Sequence, residues 1–486
     1  MAFLGLDIGT SGVKAVLLDE RQTVLAQAAA PLDVQRLKAL WSEQDPQSWW
    51  DATQAVVAGL RTHPAWAGLR AIGLSGQMHG ATLLGNAGQV LRPAILWNDG
   101  RSAAQCAELT RRVPDLAVRT GNIAMPGFTA PKLLWVAEHE PDVFAAIRHV
   151  LLPKDYVRFR MTGVMATDMS DASGTLWLDV SRREWDDTLL AATGLSRNTM
   201  PALVEGSAVS ARLDAATAAA WGVSSDVVVA GGGGDNAASA VGIGAIHAGE
   251  GFLSLGTSGV LFAVTDRYVH APERTMHAIC HALPGRWHAM SVHLSAAAAL
   301  SWVAALLGAA DIAALLDEVE AWAADPRNRA EAPIFLPYLS GERTPHNDPQ
   351  ASGLFAGLRM EHGREALVFA VLEGVGFAFA DGLAVLADAG AAPTSCLLIG
   401  GGARSAFWAQ LLADVVGLDL SLPAGAEAGA AFGAARLAML AAGGDEASVC
   451  MRPPIERHFV PRPERAEAAK LARFRALYRG EREARA

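Results

Sequence analysis

Apolar and polar positions alternate in the same way at two distant places. "GLDIGTSGVKAVLLD", from Gly5, and "GFLSLGTSGVLFAVTD", from Gly251, each read as an apolar run, a small polar turn and a second apolar run. That is the pattern of a β-hairpin. The core Gly9-Thr10-Ser11-Gly12-Val13 recurs unchanged as Gly256-Thr257-Ser258-Gly259-Val260. After the first hairpin, "TVLAQAAAPL" predicts a third strand, "WWDATQAVVAGLRTHP" has helical spacing, and "LRAIGLSGQ" predicts a strand ending in a turn. In the second half, "LLIGGGARSAFWAQLLADVVG" predicts strand, glycine turn and helix, and "EAGAAFGAARLAMLAAGG" a small-residue helix. The charged tail after Pro461 reads as a solvated terminal helix. Strands alternating with helices indicate an α/β fold. Each hairpin is expected to open one domain, residues 1–246 and 247–486, with the boundary near "GIGAIHAGEG".

Composition narrows the class. A chain of 486 residues, 51% hydrophobic, can build two or three domains with sizeable cores. A net charge of −10 argues against a nucleic-acid partner, which favours a basic stripe. No polybasic segment suggests binding to anionic lipid. The 4 cysteines, Cys106, Cys280, Cys396 and Cys450, are widely spaced and read as reduced thiols of a cytoplasmic protein. The start, "MAFLGLDIG", lacks the basic and long apolar regions of a signal peptide. The uncharged stretch Leu294 to Ala310 is nearly long enough for a bilayer, but Ser295 and Ser301 interrupt it and Asp311 follows it. A buried helix is expected there, and no membrane partner.

Glycine turns follow predicted strands at Gly9–Gly12, Gly231–Gly234, Gly256–Gly259 and Gly400–Gly402. Such turns let backbone N–H groups approach phosphate oxygens with no Cβ in the way. Thr10, Ser11, Thr257 and Ser258 add hydroxyls. One such turn is most simply a tight hairpin, but two identical copies opening two halves suggest a cleft that grips a polyphosphate. There is no Gly-Lys pair and hence no Walker A loop, and no segment keeps the G-x-G-x-x-G spacing.

Asp7 stands between Leu6 and Ile8, where a carboxylate is costly to bury unless paired or near a metal. Its counterpart in the second copy is Ser254. The asymmetry suggests that Asp7 holds Mg²⁺ through water, against the plainer reading of a surface turn residue. In "VVVAGGGGDNAASA", Asp235 ends a glycine run at a strand C-terminus, where open α/β sheets bind ligands. A carboxylate there can accept a hydroxyl proton during attack on phosphorus, or cap the helix that "DNAA" begins; the two roles are compatible. Gly231–Gly234 are expected to line the catalytic end of the cleft. Met78 and His79 in "GLSGQMHGATLL", and Trp97, Asn98, Asp99 and Arg101 in "LRPAILWNDGR", set polar groups beside an aromatic face, which suits a polyol or sugar. His79 alone would read as structural. The spacing of His277, Cys280, His281, His288 and His293 matches no common zinc pattern, and these residues are expected to be structural.

"FTAPKLLWVAEHEP" and "GLFAGLRMEHGREALVFAVLEG" resemble the two signatures of the FGGY carbohydrate kinases, of the actin/Hsp70/sugar-kinase group. The similarity extends over nearly the whole chain. "LWSEQDPQSWW", "LLPKDYVRFRMTG", "SDASGTLWLDV" and "FLPYLSGERTPHND" resemble the branch of that family acting on xylulose. The resemblance implies two ribonuclease-H-like domains around a cleft, and ATP with Mg²⁺ as donor to O5 of D-xylulose. It makes Asp235 the catalytic base, Met78 and His79 the sugar-contacting pair, and Asn236 the amide beside the base. Asp7 becomes the metal-side acid. Gly9–Thr10 and Gly256–Thr257 become phosphate turns, and Gly400, Gly401, Gly402 and Ala403 the adenosine-side turn. It leaves a homodimer open. It also leaves open a related ketose or polyol such as ribulose, deoxy-xylulose or glycerol. A nucleotide switch of the actin or Hsp70 kind would share the hairpins but would not need the sugar-type segments or the base.

Overall fold

A computed structural model describes residues 1–425, 429–465 and 468–485. The first hairpin is β1 (Ala2–Ile8) and β2 (Gly12–Asp19), continued by the antiparallel β3 (Val24–Pro31). On its other side β1 pairs in parallel with β4 (Leu69–Gly76), joined by α1 (Pro46–Leu60). The strands β5 (Val209–Arg212), β6 (Val228–Ala230) and the short β7 (Gly233–Gly234) complete the sheet, in the order β5-β6-β4-β1-β2-β3 with β7 also on β4.

The second sheet repeats this plan. Its hairpin is β8 (Glu250–Leu255) and β9 (Gly259–Thr265). It is extended by β10 (His277–Cys280), β11 (Trp287–His293), β12 (Ser395–Ile399), β13 (Leu420–Pro423) and β14 (Ile455–Phe459), in the order β10-β11-β9-β8-β12-β13-β14. In both sheets an antiparallel three-strand meander is followed by parallel strands reached through helices. The molecule is therefore a duplicated ribonuclease-H-like α/β fold. Asp7 pairs with Lys14 in the first hairpin, whereas its sequence counterpart Ser254 pairs with Val260, the counterpart of Val13, so the two hairpins differ by one residue in register.

The predicted strands and helices form as expected, with two differences. Within Leu294 to Ala310 only Ala297–Leu306 is helical, too short to cross a bilayer. The helix long and apolar enough to do so by length and composition is instead Arg364–Asp388, and most of it is buried in the second core. The small-residue helix, Gly429–Ala441, forms as predicted, although Glu427 and Ala428 of the quoted stretch lie outside the described residues. The terminal helix, Ala468–Arg485, is not simply solvated. Phe474 and Tyr478 are buried against Tyr338 and Phe377, and Lys470 pairs with the buried Glu373. The exposed face alone carries the charge pattern that marked this segment.

The small-residue helix, here α3, crosses from the second half of the chain to the first sheet. The helix α2 (Asp235–Gly242) lies on its other side. A Cβ on Gly5 or Gly73 would stand 1.9 or 1.7 Å from the carbonyls of Ala431 or Ala434, and one on Gly433 would stand 1.7 Å from that of Ala238. Backbone meets backbone there, and no side chain fits. Gly73→Ala is therefore expected to destabilise the protein by on the order of 3 kcal/mol or more in urea unfolding. Gly59→Ala in α1, where a Cβ would make only a 3.7 Å contact with Ala28, is expected to be neutral or to stabilise by up to ~1 kcal/mol.

Candidate active site

A cavity of about 360 Å³ lies between the two halves of the chain, walled by the segment after β4 and the start of α2 on one side and by β8–β11 on the other. Met78, His79, Trp97, Asp235 and Asn236 line it from the first half, and Ser254, Gly256, Thr257 and Ser258 from the second. A volume of this size suits a small ligand.

His79 follows β4 with a left-handed φ of 70°. Such a backbone is strained for a residue with a Cβ and must be held by its surroundings. Its carbonyl accepts from Lys132 Nζ at 2.8 Å and from Thr129 Oγ1 at 3.2 Å. Its ring Nδ1 lies 2.7 Å from the Gly174 carbonyl, which can only accept, so Nδ1 carries the hydrogen. A Cβ on Gly174 would strike the ring at 2.6 Å. Burial, with the Lys132 charge, pushes the His79 pKa down to about 3, so the ring is neutral.

Asp235 is the first residue of α2, and Gly234 occupies the cap position. Asp235 Oδ1 accepts from Asn236 N at 2.7 Å and Asn236 Nδ2 at 2.9 Å. Burial raises its pKa above the ordinary carboxylate value, and the Asn236 bonds work against that shift. Asp7 lies at the end of β1 with a buried Oδ1 that has no hydrogen-bond partner. Burial, and then the charge of Asp235, raise it to about 6, against Ser75 and Lys14. Two carboxylates that feel one another, one with an orphaned oxygen, fit a hydrated divalent cation whose remaining ligands come from phosphate and water. The described residues contain no group of three or more His, Cys, Asp or Glu side chains arranged to hold a metal alone.

The two threonine turns differ. Thr257 and Ser258 line the cavity, and the carbonyls of Gly256 and Thr257 accept from Ala296, Ala297 and Ala298 at the next helix start. In the first turn, Thr10 Oγ1 donates to Gln77 at 2.9 Å and accepts from Trp97 Nε1 at 3.0 Å. Thr10 thus ties Trp97 to the strand end. Gly9 N bonds to Gly12 O within the turn, and Ser11 is exposed. Asn98 is exposed beside Trp97 and outside the cavity lining, whereas Asp99 is buried in an ion-pair network with Arg101, Glu43 and Arg92. Gly400, with φ 95°, packs on the Leu255 backbone next to the Gly256–Gly259 turn. Gly401 faces open space, Gly402 packs on Leu255 and Trp408, and Ala403 is buried.

The four glycines before Asp235 do not line the cavity. A Cβ on Gly231 would strike the Glu205 carbonyl at 2.2 Å, on Gly232 the Leu74 carbonyl at 2.3 Å, and on Gly234 the Met78 side chain at 2.9 Å. A Cβ on Gly233 would crowd Ala282 at 3.2 Å. They allow close packing that seats Met78 and starts α2. Beneath them lies a fully buried charge cluster. Lys154 pairs with Asp155 at 2.7 Å, Asp168 at 2.8 Å and Asp171 at 3.0 Å, and Arg158 pairs with Asp155 at 3.0 Å and donates to Gly231 O. Ser170 Oγ, bonded to Asp168, accepts from Gly234 N at 3.0 Å. Burial raises the Asp171 carboxyl, against the pull of the Lys154 ammonium beside it.

Sequence reasoning missed the two basic side chains of the cavity wall, along with several apolar ones such as Phe128 and Ile279. His277, expected to be structural with the other histidines, lines it, while His281, His288 and His293 are buried in the second domain outside it. Arg343, within "GERTPH", also lines it. A single arginine in a loop carries no periodic signal.

Residues 2–242 match the N-terminal domain, and residues 251–442 the C-terminal domain, of the FGGY family of carbohydrate kinases. The chain belongs to this family and is a carbohydrate kinase. Among its relatives, "Xylulose kinase" of Escherichia coli strain K12 is 52% identical, over 98% of this chain and 98% of its own. A crystal structure of a "xyloylose kinase" from Brucella ovis superposes with a TM-score of 0.93 at 48% identity, over 99% of this chain and 100% of the other. Xylulose kinase from Rhodospirillum rubrum does so at 0.91 and 32%, over 99% of each chain.

The raised Asp7 carboxyl has a consequence for stability. A carboxyl whose folded pKa exceeds its unfolded value holds its proton more tightly when folded. Its ionisation therefore costs stability, absent below about pH 4 and fully present above about pH 6. Asp7→Asn is expected to stabilise the ligand-free protein at pH 8 by on the order of 1–3 kcal/mol. In urea titrations the gain should shrink as pH falls from 6 to 4.

Proposed function

We propose that this chain transfers the γ-phosphoryl group of ATP to O5 of D-xylulose, giving D-xylulose 5-phosphate and ADP. The carrying observation is the half-buried Asp235, whose charge Asp7 feels, facing a cavity walled by Met78, His79 and Trp97 on one side and by Gly256–Ser258 on the other. The full-length similarity to xylulose kinases supports this sugar over other acceptors of the family.

Asp235 is the general base. Asn236 fixes one of its oxygens and lies beside the sugar; the carboxylate takes the O5 proton as O5 bonds to phosphorus and the bond from phosphorus to the ADP oxygen breaks. Its raised pKa makes it a stronger acceptor than a solvated aspartate. Mg²⁺, when bound, neutralises phosphate charge, and Asp7 is the residue that would hold it through water. Phosphoryl transfer depends mainly on positioning and charge neutralisation, so the two sheets need only bring donor and acceptor into line. Residues 1–246 hold the sugar and residues 247–486 the nucleotide. Thr257 and Ser258 face the phosphates, the Gly9–Ser11 turn closes on them from the other domain, and the Gly400–Ala403 turn lies on the adenosine side. Closure of the cleft excludes water, so that the sugar and not water accepts phosphate. The enzyme acts in the cytoplasm.

ADP release measured over a panel of ketopentoses and glycerol should be fastest with D-xylulose; no D-xylulose-dependent release would refute the assignment. Asp235→Asn should lower kcat by about 10²–10⁴-fold while calorimetry still detects ATP binding. Because the base must be ionised and its pKa is raised, the acid limb of kcat/KM should fall at a pH above the ordinary carboxylate value near 4.

A further inference from the structure

The cavity is electrically divided. Its one lining carboxylate, Asp235, acts on Asp7 behind it, whereas the charge of the lining Arg343 acts on His79 and His277. Arg343 is thus the cation of the cavity wall that bears on the two histidines. Among the described residues no hydrogen-bond or ion-pair partner holds its guanidinium. Its backbone, by contrast, is bolted down. Arg343 N donates to Glu342 Oε1 at 2.7 Å, and the same oxygen accepts from Leu294 N at 3.0 Å. Arg343 O accepts from Thr275 Oγ1 at 2.8 Å, and Thr344 bonds to Val292 in both directions at 3.1 Å. A fixed backbone carrying an unpartnered charged fork is a preorganised donor.

The two histidines supply the opposite capacity. His79 Nδ1 donates to a carbonyl, which leaves Nε2 as the acceptor. His277 Nδ1 lies 2.7 Å from Asn122 Oδ1, and the Asn122 amide nitrogen is committed to the carbonyls of Thr120 and Ala278. His277 Nδ1 therefore carries the hydrogen, and its buried Nε2 is a bare acceptor without a partner. One donor fork and two acceptors match a carbonyl next to a hydroxyl.

The chemistry of the acceptor calls for that match. A 2-ketopentose closes its furanose ring through O5, so O5 is free only in the open chain, and the open chain carries a carbonyl at C2. We propose that Arg343 and His277, with His79, form a subsite for the α-hydroxyketone head of the open-chain sugar, Arg343 donating to the C2 oxygen and imidazole Nε2 accepting from the O1 hydroxyl. This rests on the proposed transfer to O5 of a ketopentose. Arg343 is a specificity-determining residue supplied by the second domain to a sugar held mainly by the first.

The test compares D-xylulose with xylitol, the same chain with C2 reduced to an alcohol. It reads kcat/KM from ADP release, or Kd by calorimetry where xylitol turnover is too slow. The wild-type protein reports on the activity itself: no release with D-xylulose defeats that reading, whatever Arg343 does. Given activity, Arg343→Met should lower the D-xylulose-to-xylitol ratio about 10- to 100-fold. Arg343→Lys, which keeps the charge without the fork, should lower it less. It carries the comparison if the Met variant fails to fold. An unchanged ratio, with both ligands weakened alike, overturns the inference, as does a defect confined to the KM for ATP.

Discussion

No Cβ can stand at Gly5, Gly73 or Gly433, and the site depends on that exclusion. Gly5 lies on β1, which ends at Asp7 and Ile8. Gly73 lies on β4, which leads into Met78 and His79. Gly433 presses on α2, whose first residue is Asp235. One helix of small residues, Gly429–Ala441, touches all three elements backbone to backbone, so it sets the spacing among Asp7, the Met78–His79 segment and Asp235. Because that helix belongs to the second half of the chain, the same contact holds the two sheets together. Glycine is costly to order, and here the cost is offset by contacts that a longer side chain would prevent.

Around this frame, charge is distributed by burial. Lys154, Arg158 and their three aspartates are sunk beneath the glycine run, where each ion needs partners, and through Ser170 they fix the backbone that precedes Asp235. In the cavity the same physics is left unresolved. Asp7, next to it, keeps an orphaned oxygen, and Arg343 in its wall an unpartnered fork. Groups that fold at a cost and await a ligand are the expected mark of a binding site.

Local pattern carried a great deal. The duplicated hairpins, Asp7 against its counterpart Ser254, and Asp235 at a strand end were legible because strand alternation and turn chemistry are written over a few neighbouring residues. Other readings changed in three dimensions. The glycine run looked like cleft lining and proved to be packing against Glu205, Leu74, Ala282 and Met78. Thr10 looked like a phosphate ligand, and its hydroxyl lies between Trp97 and Gln77. His277 sat in sequence among histidines that are purely internal, yet it faces the cavity.

The dividing line follows the range of the interaction. Strand, helix and turn preferences, and the cost of placing a carboxylate between Leu6 and Ile8, act within a few residues of the chain, so the order of residues settles the duplicated fold and its two acids. What a bare backbone packs against, which nitrogen of a histidine keeps its hydrogen and which arginine is left without a partner depend on groups distant in sequence, such as Gly73 with Ala434, or His277 with Asn122. Those were settled by folding, because only contact across the folded chain brings such groups within the few ångströms over which packing and hydrogen bonds act.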